Sequence, residues 1–369
     1  MKQGWEYKKI GNICNITTGK LDANAANEDG LYPFFTCSRI PLSINTYAYD
    51  CECILIAGNG DLNVKYYNGK FNAYQRTYIL QLKNDVNGVE MRYIFAFFNL
   101  YIEELRRKSI GGIIKYIKLG DLTNALLPLP DITTQLSIVS ELDKINELIR
   151  LKQEQLKDYD NLAQSIFYEM FGDPVENEKG WEVKKIGEIG SVERGAGISK
   201  KDFVEDGLPC IHYGQLHTIL GARTKKHYTS IPHDLLPKYK VAHTGDLVMA
   251  ITSEDVEGSC KSTAWLGNYD VIVGSDAAIL HHEQDGTFLS YYTMTKAFYN
   301  EKAKYAKGFK VTHISTKEIE KISVFLPPLP LQHLFAQRIE QIERQKSAVQ
   351  KSITDLETLL ASRMQYWFE

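Results

Sequence analysis

The chain lacks most of the signatures by which a sequence announces chemistry. No run approaches the eighteen or so apolar residues that a bilayer span needs. The opening residues, MKQGWEYKK, hold no apolar signal core, so a cytoplasmic protein is expected. Cysteine is sparse: Cys14, Cys37, Cys51, Cys53, Cys210 and Cys260 form no CxxC pair. The one close pair, CEC at 51–53, lacks zinc-ligand spacing, so reduced thiols and no metal are expected. HHEQD at 281–285 is not HExxH, and no GxxxxGK[ST] is present to cradle a phosphate. There is no glycine-rich cofactor loop after a strand and no Asn/Asp-Pro-Pro-aromatic tetrapeptide; LPPLP at 326–330 does not supply one. Asp173 followed by EVK at 182–184 has the outline of a nuclease pattern, yet EVK lies in a repeated segment whose other copy has no such Asp before it. Together these absences predict a protein without catalysis or cofactor of its own.

A large positive charge is also missing. The net charge is −3, and its distribution is uneven. Residues 1–130 carry 15 basic and 12 acidic side chains, 131–172 carry 4 and 8, 173–327 carry 19 and 21, and 328–369 carry 5 of each. A chain that grips nucleic acid alone is often strongly basic. Here local basic strips, or a partner, would have to do that work.

What the chain does have is repetition. GWEYKKIGNI at 4–13 returns as GWEVKKIGEI at 180–189, identical at eight of ten positions. GGIIKYIKLGDLTNALLPLPDITTQ at 111–135 lies over GFKVTHISTKEIEKISVFLPPLPLQ at 308–332. From there the offset is a constant 197, so Pro130 maps on Pro327, Gln135 on Gln332 and Phe171 on Phe368. The period is far too long for a solenoid. It describes two homologous halves with a shared frame and divergent interiors. All nine histidines fall after residue 172, which marks how far the interiors differ.

Each half ends in a long amphipathic helix with apolar residues at alternating spacings of four and three. The seam comprises Ile138, Leu142, Ile145, Ile149, Leu156 and Ile166 in the first copy. In the second it comprises Phe335, Ile339, Ile342, Val349, Ile353, Leu356 and Leu360. Such a repeat predicts a coiled coil, each helix pairing with the other, with Lys152 and Lys346 interrupting the seam. About 38 helical residues make a rod of roughly 57 Å. Proline-rich turns, LPLPD at 127–131 and FLPPLP at 325–330, precede the helices and fix their exit. The joint FGDPVENEKG at 171–180 leads from the first helix into the second GWE. The expected fold is therefore α+β (mixed α/β): two homologous globular domains separated by two long helices pairing as an antiparallel coiled coil, in a pseudo-twofold circular organisation. The expected boundaries are 1–130, 131–172 (helical spacer), 173–327 and 328–369 (helical spacer).

The paired GWE(Y/V)KKIG(N/E)I openings, the P-x-(L/I)-x-x-Q turns at Pro130–Gln135 and Pro327–Gln332, and the rods that follow resemble the specificity (S) subunit of type I restriction–modification systems. The resemblance covers the whole chain in order. It implies that 1–130 and 173–327 are target recognition domains, each reading one half of a split site in double-stranded DNA. It further implies that the rods set the distance between half-sites and dock two methyltransferase subunits, with restriction/translocase subunits joining that core. S-adenosylmethionine, ATP and Mg would then be held by partner subunits only. A coiled-coil assembly scaffold without DNA specificity remains the alternative, as does a DNA-binding half of another defence system.

Base reading calls for paired donors or acceptors, and phosphate anchoring for cations and hydroxyls. In the first interior the candidates are Arg39, Asn59, Lys65, Tyr66, Tyr67, Lys70, Tyr74, Gln75 and Arg76. In the second they are Lys200, Lys201, His212, Tyr213, Gln215, Arg223, Lys225, Lys226, Ser253, Lys261 and Ser275. Glycine-containing loops bring Arg106, Arg107, Lys108 and Lys115 together in one copy and Lys307 with Lys310 in the other, as expected backbone clamps. CECILIAGNGD at 51–61 and TGDLVMAITSED at 244–255 read as buried strands entering polar turns. FNAYQRTYILQL at 71–82 and YDVIVGSDAAILHH at 269–282 each read as one further strand, and 89–108 and 286–308 each as one amphipathic helix.

Overall fold

The structure, a computed structural model, describes residues 4–198, 200–233, 240–308 and 311–369. It divides into two compact units, Met1–Glu154 with Val349–Glu369, and Gln155–Ala348. The two long helices, Ile132–Phe171 and Leu329–Phe368, are 40 residues each, and each unit contains part of both. Among the described residues no helix is long and apolar enough to cross a membrane.

In the first unit a six-stranded sheet has the order Cys14–Thr18, Thr77–Leu82, Tyr49–Ala57, Val64–Ala73, Tyr32–Phe35, Leu42–Ile44. The central strand, Tyr49–Ala57, alternates between two cores, as the strand period of two requires. Ile54 and Ile56 pack under helix Met91–Lys108, whereas Cys53 and Leu55 join Phe35, Phe71, Ala73 and Ile79 on the other face. Strand Val64–Ala73 follows Asn63, whose Nδ2 donates to the Cys37 carbonyl (2.8 Å), and ends in register with Phe35. The sheet therefore curls around the second core. The segment 71–82, expected as one strand, is divided between two. Thr77 N donates to Tyr74 O (2.8 Å), closing a turn over Tyr74–Arg76.

The second unit has a five-stranded sheet, Gly190–Arg194, Ala277–His282, Leu247–Ala250, Ser262–Trp265, Arg223–Thr224, and a four-stranded one, Thr229–Ile231, Leu208–Ile211, Val271–Val273, Lys240–Ala242. Here too the second expected strand is broken by a turn, with Ala277 N donating to Gly274 O (3.1 Å). The expected single helix over 286–308 is two, Gly286–Tyr292 and Lys296–Ala303. Thr295 breaks it: its Oγ1 accepts from Phe298 N (3.3 Å) and caps the second piece.

The long helices pair within each unit. In the first, Glu141 accepts from the Arg363 guanidinium and from Trp367 Nε1 (3.0 Å), and Ile138 and Leu142 share a core with Phe368. In the second, Phe167 and Phe171 meet Phe335 edge-on at 5.6 and 5.4 Å, Lys346 Nζ lies 2.7 Å from Asp160 Oδ1, and Arg338 lies 3.9 Å from Glu169. Partner numbers fall as first-helix numbers rise, so the pairing is antiparallel. Ile138, Leu142, Ile145, Phe335, Ile339, Ile342, Val349 and Ile353 are buried, and Ile149, Leu156, Ile166, Leu356 and Leu360 are half-buried. Phe167, one step beyond Ile166, is the more deeply buried of the two.

The duplicated frame builds the same joints twice. Glu6–Lys9 pairs antiparallel with Leu126–Leu129, and Glu182–Lys185 with Ser323–Leu326. Gln135 is fully buried; its Oε1 accepts from Glu90 N (3.0 Å), and its Nε2 donates to Gly88 O (3.0 Å) and Pro130 O (2.8 Å). Gln332 does the same with Asp285 N (3.0 Å), Gln284 Oε1 (2.8 Å) and Pro327 O (2.8 Å). Each motif glutamine thus ties the start of a long helix to the N-cap of a domain helix.

Candidate nucleic-acid interface

In the first unit the central strand ends at Ala57, and three other segments meet the turn that follows it. Gly58 N donates to Arg76 O (2.8 Å), bringing in the 74–76 turn. Gly60 N donates to Lys115 O and Ile117 N to Gly58 O, both at 3.0 Å, bringing in the loop 110–116. Asn63 Nδ2 reaches Cys37 O, bringing in the loop that carries Arg39. Gln75, Arg76 and Lys115 are exposed there, and Asn59 is half-exposed. Arg39 is exposed but engaged with Asp61 (2.8 Å).

The second unit repeats this convergence with other side chains. Ile251 N donates to Asp276 O (3.0 Å), as Gly58 does to Arg76, and Ile314 N donates to Ile251 O (3.1 Å), as Ile117 does to Gly58. Thr252–Ser253 pairs with Thr312–His313, and His217 Nε2 donates to Thr252 O (3.1 Å). A groove of about 1100 Å³ results, lined among others by Tyr213, His217, Ser253, Lys261, Tyr299 and Lys302. Lys261 Nζ donates to His217 O (3.2 Å) at its rim. Ser275 sits in the 274–276 turn, where its carbonyl accepts from Arg194 Nε (2.8 Å), and Lys200 and Lys201 are exposed on the short helix Lys200–Asp202.

Several candidates are tied up in packing. Tyr66 and Tyr67 are adjacent in one strand and so face opposite sides of the sheet. Tyr66 donates to Glu52 Oε1 (2.6 Å) and packs by Phe95 under the helix, while Tyr67 belongs to the inner core. Lys65 donates to Asn63 Oδ1, and burial holds its ammonium below the usual lysine range. Lys70 Nζ stands 4.7 Å over the Tyr47 ring, and Tyr74 is half-buried. His212 and Gln215 close a capping box on helix Tyr213–Thr218, and burial lowers the His212 pKa, with Lys200 adding to the effect. Arg223 and Lys225 engage Glu340 of the second long helix at 3.4 and 3.0 Å; Lys226 beside them is exposed. Lys108 pairs with Glu104 (3.3 Å), and Arg107 with Glu104 (2.8 Å). Lys307 pairs with Glu318 (2.6 Å), whose carboxyl that contact and the Ser315 cap hold down to about 2. Lys310 lies outside the described residues.

The structure adds residues that a search for cations and amides passes over. Glu254 and Asp255 line the groove, and carboxylates can accept from a cytosine amino group. Arg106 donates to Leu62 O (2.9 Å) and Lys302 to Glu257 O (2.8 Å) and Ser259 O (2.5 Å), each steadying the turn after a central strand. Burial lowers the Lys302 pKa. All six cysteines are free, and burial pushes Cys14 and Cys260 up to about 12.

Comparison with known proteins bears on this architecture directly. The profile of the family described as "Type I restriction modification DNA specificity domain" matches residues 2–158 and 178–358. The chain is 26% identical over 379 residues to the type I restriction enzyme EcoDI specificity subunit of Escherichia coli, covering 95% of this chain and 84% of that one. It is 23% identical over 403 residues to the MjaVIII specificity subunit of Methanocaldococcus jannaschii, covering 97% and 92%. Among solved structures, a type I S subunit from M. genitalium superposes with a TM-score of 0.57 at 14% identity, covering 100% of this chain and 98% of that one. A chain from a type I restriction–modification assembly superposes with 0.59 at 19% identity, with the same coverage. The two family matches fall on the two halves of the repeat, and the chain belongs to the type I restriction–modification DNA specificity family, as a non-catalytic specificity subunit that recognises DNA sequence.

Proposed function

We propose that the chain reads a bipartite DNA site, one half with each unit, and directs a partner DNA adenine methyltransferase and restriction subunits to it. The observation that carries this reading is the recurrence of one four-segment convergence at the end of each central strand, furnished with different side chains. A shared frame with unlike surfaces is what two unlike half-sites call for. In the first unit Asn59, Gln75, Arg76 and Lys115 form the reading surface, with Arg39 at its margin; in the second it is Lys200, Lys201, Tyr213, Ser253, Lys261 and Ser275. The outward faces of the long helices, where Leu136, Leu148, Leu151, Leu162, Leu334 and Leu359 are exposed, suit docking of two methyltransferase subunits. Those partners would supply much of the phosphate grip that a net charge of −3 withholds.

Exchanging residues 14–110 for the corresponding interior of another family member tests the reading. Genomic adenine methylation is mapped before and after the exchange in a strain carrying the partner subunits. One half of the modified motif should change and the other should stay. A change in both halves, or none, would sink the assignment.

A further inference from the structure

In both units the loop that joins the convergence is closed by a backbone-paired base and carries an exposed apolar side chain. Ile110 and Tyr116 exchange both backbone hydrogen bonds (3.0 and 2.9 Å), and Lys307 and His313 do the same 197 residues later (3.2 and 2.8 Å). Gly111 and Gly308 hold φ of +121° and +124°, and a Cβ at either would lie 2.6 Å from Ile114 O or 1.9 Å from Val311 O. Both loops therefore require glycine at their first position and are anchored to the turn after the central strand.

In these loops Ile113 is fully exposed, Ile114 is 62% exposed and its counterpart Val311 is 54% exposed. Ile110 and Tyr116 widen the first patch, each about two-fifths exposed. The sequences have otherwise diverged, GGIIK against GFKVT, yet a β-branched apolar residue occupies the equivalent position, Ile114 and Val311, in both. Neither unit's own core uses these side chains. Lys115 is exposed beside the first patch, while Lys108 and Lys307 at the bases of the two loops are paired with Glu104 and Glu318.

We propose that the exposed branched side chains of these loops, Ile113 and Ile114 in the first unit and Val311 in the second, act as wedges that enter a groove of duplex DNA and partly unstack one base step beside each half-site, while Lys115 faces a phosphate at the first. The inference rests on the DNA-reading function proposed above. Apolar side chains flanked by cations are how proteins pry a base step open from the minor groove. The cost of unstacking also depends on the step, so a wedge would add sequence preference at a base pair that no side chain hydrogen-bonds.

The test uses the full chain with its co-purified partner subunits and duplexes bearing the genomic methylation motif. 2-Aminopurine is placed at successive positions in and beside each half-site. A fluorescence rise at one step near each half-site is expected. The rise should disappear near the first half-site alone in Ile113→Ser/Ile114→Ser, and near the second alone in Val311→Ser. These side chains are exposed, so unchanged melting temperatures are expected as a control. Motif-specific retardation without a rise at any position would overturn the wedge and leave DNA reading intact. Loss of the partner subunits from the serine variants would also overturn it, by showing that a protein covers these side chains. Absence of any motif-specific binding by the wild-type assembly would instead remove the DNA-reading premise.

Discussion

At the residue scale the turn after the second unit's central strand, part of the proposed reading surface, depends on a buried cation. Lys302 is 4% exposed, and its ammonium holds the carbonyls of Glu257 and Ser259. Cys260, the next residue, has a φ of +55°, a region that costs a non-glycine residue free energy and persists only when its surroundings insist. Lys302 is part of that insistence. Lys302→Met fills similar space without leaving a buried charge, but it leaves both carbonyls without their donor. A loss of about 2 kcal/mol is expected in denaturant unfolding of the second unit, with a smaller loss for Lys302→Arg. Motif-specific binding should weaken at the second half-site more than at the first. An unchanged unfolding midpoint would show that the turn holds itself.

At the element scale the motif glutamines act as joints rather than as surface features. Gln135 satisfies the N-cap amide of Glu90 and two carbonyls from a fully buried position, where an unpaired polar group is costly. Gln135→Leu should therefore destabilise the first unit by about 2–4 kcal/mol, read as a lowered urea midpoint. A cost below about 0.5 kcal/mol, the scale of an ordinary surface change, would contradict this role. The repeat told where these joints lie, because a frame must recur wherever two halves share a scaffold. It could not tell what Gln135 touches, since Gly88 and Glu90 are brought to it only by folding. The long helices were equally legible, because a seam at spacings of four and three states its own partner face. The segments of the proposed reading surface could be named from sequence, but not which of their side chains stay free of packing. Tyr66 differs from Tyr67 only in strand parity, and Arg223 and Lys225 look like DNA-facing cations until Glu340 is set beside them. The breaks at Tyr74–Arg76 and Thr293–Thr295 escaped because the chain there keeps strand-like or helix-like composition through a turn.

At the scale of the whole molecule, the segment at Trp5 meets the segment at Trp367 much as the first copy is joined to the second at 171–181. In the second unit the link is covalent: the first long helix ends at Phe171, and ten residues later Trp181 Nε1 donates to the Phe171 carbonyl (2.8 Å). Asn177 brackets the Trp181 backbone with two hydrogen bonds of 2.9 Å, and Lys179 Nζ caps the Glu169 and Met170 carbonyls (2.8 Å each). In the first unit the same joint exists without a covalent link. The Trp5 ring lies parallel to Trp367 with centroids 6.3 Å apart, and Phe368, the counterpart of Phe171, packs against Tyr93 at 5.1 Å. The strand pairings that follow each GWE are equivalent in register. A circular permutant should therefore fold, with new termini opened between Pro174 and Lys179 and the old ends joined by a copy of residues 172–179. It should melt within a few degrees of the parent, keep the near-ultraviolet signal of the stacked Trp5–Trp367 pair, and direct methylation to the same motif. A permutant that aggregates or loses that signal would mean that the covalent joint at 171–181 is needed and that the two copies are not interchangeable in how the chain passes between them.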